Sequence, residues 1–316
     1  VSRPVRGVPH GALLTAGETM AMVAPAAAER LEHAEVFRID AGGAESNVAA
    51  HAAALGQPAA WFSRVGDDAL GRRVVSRVGA RGVDVSRVVI DADHPTGLYL
   101  KDPGHGVAYY RAGSAAAHLS EADAGALSWD GVALLHVSGI TAALGGTAPA
   151  FLRRIVDRAR RAGVPVSVDV NHRAPLWAVA AAAGPLLELA RSADIVFVGR
   201  DEAETLWGAA DADAVRALLP DAPQLIVKDG AVGATLFAHD SVVFEPALVV
   251  DVVEPVGAGD AFAGGYLAAL LAGASPRQRL RSGHERAALT MATTGDFPDD
   301  AAGSPVADIP FERTSP

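Results

Sequence analysis

The chain has 316 residues, a formal charge of −10, no cysteine, and apolar side chains at 50% of its positions. That length can bury one large core. The missing cysteines exclude disulfide scaffolds, thiol catalysis and zinc–cysteine sites, and the acidic balance argues against a nucleic-acid surface, which needs clustered Lys and Arg. A few arginines converging in a cleft can still bind a carboxylate inside an acidic protein. Much of the apolar content is alanine, and no apolar run of spanning length escapes interruption by a charge, Gly or Pro. Val1 to His10 carries Arg3 and Arg6 but is not followed by a signal-peptide core. The expected location is cytoplasmic, with no membrane partner.

In chain order, Leu13 to Thr15 reads as a short strand ending in a turn at Gly17-Glu18-Thr19. Val36 to Ile39 alternates as a strand and leads to Asp40-Ala41-Gly42-Gly43-Ala44-Glu45-Ser46-Asn47-Val48-Ala49, which opens an alanine-rich helix reaching Leu55-Gly56. A glycine pair ahead of a helix turns backbone amides toward a ligand; a plain strand-to-helix hinge is the alternative. Ala59 to Val65 is a strand, and Gly66 to Gly71 turns into a helix that runs to Gly79. Val88 to Ile90, Thr96 to Leu100 and Val107 to Tyr110 are short strands separated by turn residues, Asp102-Pro103-Gly104 among them. Such strands suit a small β-sheet lid over an α/β body.

After Leu119 the rhythm changes. Val132 to Ser138, Val166 to Asp169, Ile195 to Val198 and Leu225 to Lys228 are apolar strands, spaced by helices such as Ala148 to Ala162 and Ala178 to Ala190. Buried strands alternating with helices predict a mostly parallel sheet covered on both faces. His284-Glu285 reads as a helix-surface pair, and Phe297 to Pro316 as an extended surface segment. Neither GxxxxGK[ST], GxGxxG opening a strand-turn-helix, GxSxG nor HExxH occurs.

The stretch around which the chain is organised is Glu254-Pro255-Val256-Gly257-Ala258-Gly259-Asp260-Ala261-Phe262-Ala263-Gly264-Gly265. It stands where the strand-like run Leu248 to Val253 gives way to the helix-like run from Tyr266 to Leu271. Glycines let a backbone approach a ligand, and a new helix offers unpaired N–H groups and its positive end. An aspartate beside a bound anion makes chemical sense as a base that takes a proton from an attacking hydroxyl. The alternative is a glycine-rich turn with Asp260 as a capping residue.

The core Gly257-Ala258-Gly259-Asp260-Ala261-Phe262 resembles the C-terminal signature of the ribokinase-like (PfkB) carbohydrate kinases, with Glu254-Pro255-Val256 departing at its front. The Gly42-Gly43 to Asn47 string resembles the N-terminal signature of the same family. The resemblance covers most of the chain, from Gly17 to about Gly295. It implies a ribokinase-like three-layer α/β/α fold with a mostly parallel sheet. Residues 1–316 would then form a single kinase domain, with lid strands contributed from about 34–42 and 88–112. It implies ATP and Mg2+ as cofactors, and from many relatives a monovalent cation such as K+. It also allows a homodimer or higher homo-oligomer through the lid.

By the same resemblance Asp260 is the general base, and Gly257, Ala258 and Gly259 form an anion hole. Gly43 and Asn47 contact the sugar, and Asn171, Lys228, Gly230 and Gly233 lie on the nucleotide side. Glu202 matches the acid of the family's NxxE motif and would hold the metal through water, whereas Gly199 replaces the asparagine. A strand-end turn explains Asn171, and a tight hairpin Gly230 and Gly233, equally well.

Three strings, Thr96 to Tyr99, Tyr109 to Ala115 and Asp169 to Trp177, look like the 2-keto-3-deoxygluconate kinase branch of the family. That substrate carries a carboxylate. Arg111 and Arg173 can bind it with charge-assisted bonds, and Tyr99 and Tyr109 can donate to its oxygens. Asp296 would bond a sugar hydroxyl. The expected partners are thus a sugar or sugar acid and ATP. A kinase for a neutral sugar of the fructose or ribose type is one alternative, and a sugar- or nucleotide-binding protein without catalysis is another.

Overall fold

The computed structural model describes residues 11–27, 29–238, 241–293 and Phe297. Val1 to His10, Asp296 and the tail beyond Phe297 lie outside the described residues, so the readings placed on them stop there. The N-terminal part runs β1 (Ala12–Ala16), β2 (Met20–Pro25), β3 (Phe37–Gly42), α1 (Ala44–Ala53), β4 (Ala59–Phe62), β5 (Arg64–Gly66), α2 (Ala69–Ala80), β6 (Val89–Asp91), β7 (Leu98–Asp102) and β8 (Gly106–Tyr110). There follow α3 (Glu121–Ala126), β9 (Val132–Ser138), α4 (Gly139–Ala143), α5 (Ala148–Arg161), β10 (Val166–Asp169), α6 (Val179–Arg191), β11 (Ile195–Gly199), α7 (Arg200–Trp207) and α8 (Ala212–Leu218). The chain then continues through β12 (Gln224–Asp229), β13 (Gly233–Ala238), β14 (Ser241–Pro246), α9 (Ala258–Leu271) and α10 (Pro276–Met291).

Eight strands form the main sheet in the order β14-β13-β12-β11-β10-β9-β1-β4. The six from β4 to β12 are parallel and the last two antiparallel. β9 and β10 are buried at every residue, their polar His136, Ser138, Ser167 and Asp169 included, because both faces of the sheet are covered. On one face Leu14, Leu135 and Val168 pack with Phe151 and Ile155 of α5; on the other Leu13, Leu134 and Phe197 pack with Tyr266 and Leu267 of α9. Each large apolar side chain removed from water contributes about 1.5–3 kcal/mol, so α5 and α9 are fixed by their apolar faces. α9 is apolar around most of its circumference because it also lies between α1 and α10. A Cβ on Gly264 would stand 2.6 Å from His51 Cβ of α1, and one on Gly265 2.5 Å from the Ser282 carbonyl of α10. The paired glycines therefore set how closely three helices approach.

The lid is a second sheet in the order β3-β2-β7-β8, in which β2 and β7 run parallel and the outer pairs antiparallel. Sequence reading found three of these four strands and passed over β2, where Met20 to Val23 follows the expected turn without a turn residue of its own. The Val88–Ile90 run is not a lid strand: it belongs to β6, which pairs with β5 beneath the lid. Leu248 to Val253 forms no strand, because among the described residues nothing pairs with it along its length; Val249 is fully exposed, and the Val253 and Glu254 N–H groups donate to the Met291 carbonyl. His284 is buried, not a surface residue, and its Nε2 bonds the Glu245 carbonyl.

The lid root is held by Asp91. Its carboxylate accepts from the Arg64 guanidinium at 2.8 Å and from the backbone N–H groups of Asp93 and His94, while Arg64 also reaches Asp123 at 2.9 Å. Burial opposes the charge on Asp91, but the Asp93 N–H, Arg64 and His94 outweigh it and hold the pKa at about 2. A lowered carboxylate pKa adds stability above the unfolded value near 3.8, lost as pH falls toward about 2. Asp91→Asn should therefore lower unfolding free energy at neutral pH by about 2 kcal/mol. Urea titrations across pH should show that deficit shrinking between about pH 4 and about pH 2, and a deficit of constant size would refute this account.

Candidate active site

A cleft of about 710 Å3 opens where the carboxyl ends of β10, β11 and β12 meet the N-termini of α1 and α9 under the inner face of the lid. Parallel sheets place ligands at that edge because helix N-termini gather there. Gly257, Gly259 and Asp260 line it, with Gly43, Asn47, Tyr99, Tyr109, Arg111, Asn171, Arg173, Glu202 and Lys228. Ala258, between the two glycines, is the first residue of α9. Gly257 caps that helix at φ +85°, a conformation in which a side chain would be strained.

Asp260 sits in the first turn of α9 and is 7% exposed. Its Oδ2 accepts from Asn47 Nδ2 at 3.0 Å. The residue expected to contact sugar is thus also the orienting partner of the expected base. Asn47 Oδ1 is buried and has no hydrogen-bond partner among the described residues, which leaves an acceptor for a ligand hydroxyl. Glu45, two residues earlier in the same first turn of α1, is fully buried and was missed in the sequence. Its Oε1 accepts from the Ser138 and Thr141 hydroxyls at 2.6 and 3.1 Å, tying α1 to the end of β9. Burial pushes its carboxyl above the usual range against those bonds.

The lid presents alternate residues of each strand. Tyr99 and Lys101 of β7 face the cleft with Tyr109 of β8 and Arg111 just beyond it. The Tyr99 and Tyr109 rings lie 5.9 Å apart, and the Arg111 guanidinium 5.7 Å from the Tyr109 ring. Arg111 is not an open carboxylate receptor. It is ion-paired with Glu18, a buried acid whose Oε1 takes the Ser114 hydroxyl at 2.6 Å. Lys101, which sequence reading also missed, was legible as the second residue past Tyr99 on an alternating strand. Arg173, in the loop after β10, is exposed at the cleft mouth.

The floor is charged. Lys228 Nζ bonds Asp169 Oδ2 at 2.7 Å, and Glu202 accepts from the Gly199 N–H at 3.0 Å and from the His172 N–H. Burial works against the charge of Lys228, but Asp169, Glu202 and Asp260 hold its ammonium above the ordinary lysine range. Burial, then the nearby Asp169, pushes Glu202 above the usual carboxylate range. Asn171 turns the chain at φ +42°, a region asparagine tolerates better than most residues. Gly230 and Gly233 do not line the cleft; they shape the β12–β13 hairpin, Gly230 at φ +48° and Gly233 packed against Phe244. Among the described residues, no three His, Asp or Glu side chains are grouped to hold a metal directly.

Removing Asn47 Nδ2 takes a donor from the Asp260 carboxylate and favours its protonated form. Asn47→Ala should cut turnover about 10- to 100-fold and move the acid limb of the pH–rate profile to higher pH. An unmoved limb would refute the orienting role.

The model of the pfkB family carbohydrate kinases matches residues 12–299. The 2-dehydro-3-deoxygluconokinase of Bacillus subtilis strain 168 is 36% identical over 295 residues, covering 90% of each chain. Fructokinase-1 of Oryza sativa subsp. japonica is 34% identical over 245 residues, covering 75% of this chain and 76% of its own. Among solved structures, a PfkB protein from Polaromonas sp. JS666 superposes with a TM-score of 0.81 at 33% identity, covering 88% of this chain and 95% of that one.

Proposed function

The chain belongs to the pfkB family of carbohydrate kinases, and from that premise we propose that it transfers the γ-phosphoryl group of ATP to the terminal hydroxyl of 2-keto-3-deoxygluconate, the sugar acid also called 2-dehydro-3-deoxygluconate. The observation that carries the substrate choice is the charge on the sugar side of the cleft. Among the described residues, two arginines, Arg111 and Arg173, stand there; Glu18 pairs with Arg111, and Arg173 is exposed at the mouth. A neutral sugar has no use for that excess, whereas a sugar carboxylate is held by it. The relative in Bacillus subtilis bears the matching name.

Phosphoryl transfer asks a protein for positioning and charge stabilisation more than for covalent work. Asn47 points the Asp260 carboxylate into the cleft. As the substrate hydroxyl oxygen bonds to the γ-phosphorus, its proton passes to Asp260, the bond to the bridging β–γ oxygen breaks, and ADP leaves. The N–H groups at the start of α9 receive the charge on the phosphoryl oxygens. Glu202 would hold Mg2+ bound with the nucleotide, and the ion would neutralise the nucleotide's phosphates. The fit would be an indirect one: both Glu202 oxygens already accept backbone N–H groups, so the carboxylate would act on the ion through water, with Asp169 beside it.

A second reading, a kinase for a neutral sugar, draws on the Glu18–Arg111 pair, which neutralises one of the two arginines, and on the fructokinase relative. An ADP-release assay against 2-keto-3-deoxygluconate, gluconate, fructose and ribose separates the two. On the first reading the keto-deoxy acid turns over, Asp260→Ala lowers kcat by about 10²–10⁴-fold, and Arg173→Ala raises KM for the acid by about 10- to 100-fold. Turnover of neutral sugars alone would discard the carboxylate argument.

A further inference from the structure

The phosphoryl end of the cleft is over-supplied with negative charge. Among the described residues of its lining, Asp169, Glu202 and Asp260 gather there around Lys228. The transferring group arrives with its own negative oxygens and must pass close to the Asp260 carboxylate, so some fixed cation has to meet those oxygens for transfer to be fast.

The fold puts the Lys228 ammonium in that place. Lys228 stands at the carboxyl end of β12, in register with Gly199 of the neighbouring parallel strand β11. Residues in register on adjacent strands project to the same side of a sheet, and Gly199 projects nothing, so the space beside the lysine is left to its side chain. Asp169 takes one of the three ammonium donors at 2.7 Å and sets the direction of the chain. A Cβ built on Gly259 would lie 3.6 Å from Nζ, so the charge rests against the glycine turn whose amides begin α9. The side chain is otherwise enclosed, 21% exposed and 6.0 Å from the Phe197 ring.

We infer that Lys228 is a catalytic residue whose ammonium bonds the oxygens of the transferring phosphoryl group and strengthens that contact as the bond to ADP breaks. Its donors lie beside Gly259 of the glycine turn, and Asp169 holds the lysine against withdrawal. This inference rests on the kinase reading but not on the choice of sugar.

The test uses the full chain and whichever sugar the native protein phosphorylates best, so failure of the sugar-acid reading leaves it informative. Lys228→Met keeps the length of the side chain and removes the charge. The expected result is a loss of kcat of about 10²–10³-fold, with KM for the sugar changed by less than about threefold. Calorimetry supplies a readout apart from turnover. Aluminium fluoride, which mimics the transferring group, should tighten binding of MgADP and sugar to the native protein; the variant should lose that tightening while binding MgADP alone as before. Because Lys228→Met leaves Asp169 unpaired, the double variant Asp169→Asn/Lys228→Met serves as the control for folding. The same kinetic loss in a double variant with native melting temperature supports the inference. Recovery of native kcat in the double variant, or undiminished aluminium fluoride tightening in either, overturns it and leaves Lys228 a structural partner of Asp169.

Discussion

The hydrogen bond from Asn47 to Asp260 joins the two halves of the site. Asn47 and Asp260 lie far apart in sequence, on the first turns of α1 and α9, and meet at 3.0 Å because those helices run side by side. The contact depends on Gly264 and Gly265, whose missing side chains let α9 settle between α1 and α10. Glu45 then fixes α1 to the end of β9, so the orienting residue is anchored to the sheet. The local conformation at Gly257, the helix contacts and the sheet edge all converge on where one carboxylate points.

Around that point the cleft divides by charge. The lid and the loop after β10 bring cations, and the strand ends bring acids with Lys228 among them. A sugar acid and a metal-bound nucleotide have complementary demands, one for net positive surroundings and the other for acids that face a cation. The division follows from topology. Residues at the ends of parallel strands face helix N-termini, while residues on alternating lid strands face down from the other side.

How much of this was legible in the sequence varied with the physics of each part. β9 and β10 could be read residue for residue, because each is a short stretch rich in valine and leucine bounded by turn residues. The glycine turn and Asp260 were legible because backbone approach to an anion needs glycine, and needs it at fixed spacing. β2 escaped because its residues are small or flexible and its partner β7 is distant in the chain. The Leu248–Val253 run misled for the converse reason: β-branched residues suit a strand, but a strand exists only if something pairs with it. Pairwise chemistry was the least visible. Nothing in the sequence joins Glu18 to Arg111, Asn47 to Asp260, or Asp169 to Lys228, since each pair is made by the fold.

The lid is woven into the body by two separate excursions of the chain. β2 and β3 leave from β1 and return into α1; β7 and β8 leave from β6 and return toward β9. The parallel pairing of β2 with β7 stitches the two excursions together. Such a lid is no cassette. Exchanging it for another would mean cutting at four places and matching two crossings at once, one of them ending at Gly43, the cap of the helix that carries Asn47. A lineage built this way changes its acceptor most readily by single substitutions at inward positions such as Tyr99, Lys101 and Tyr109, and least readily by trading whole segments.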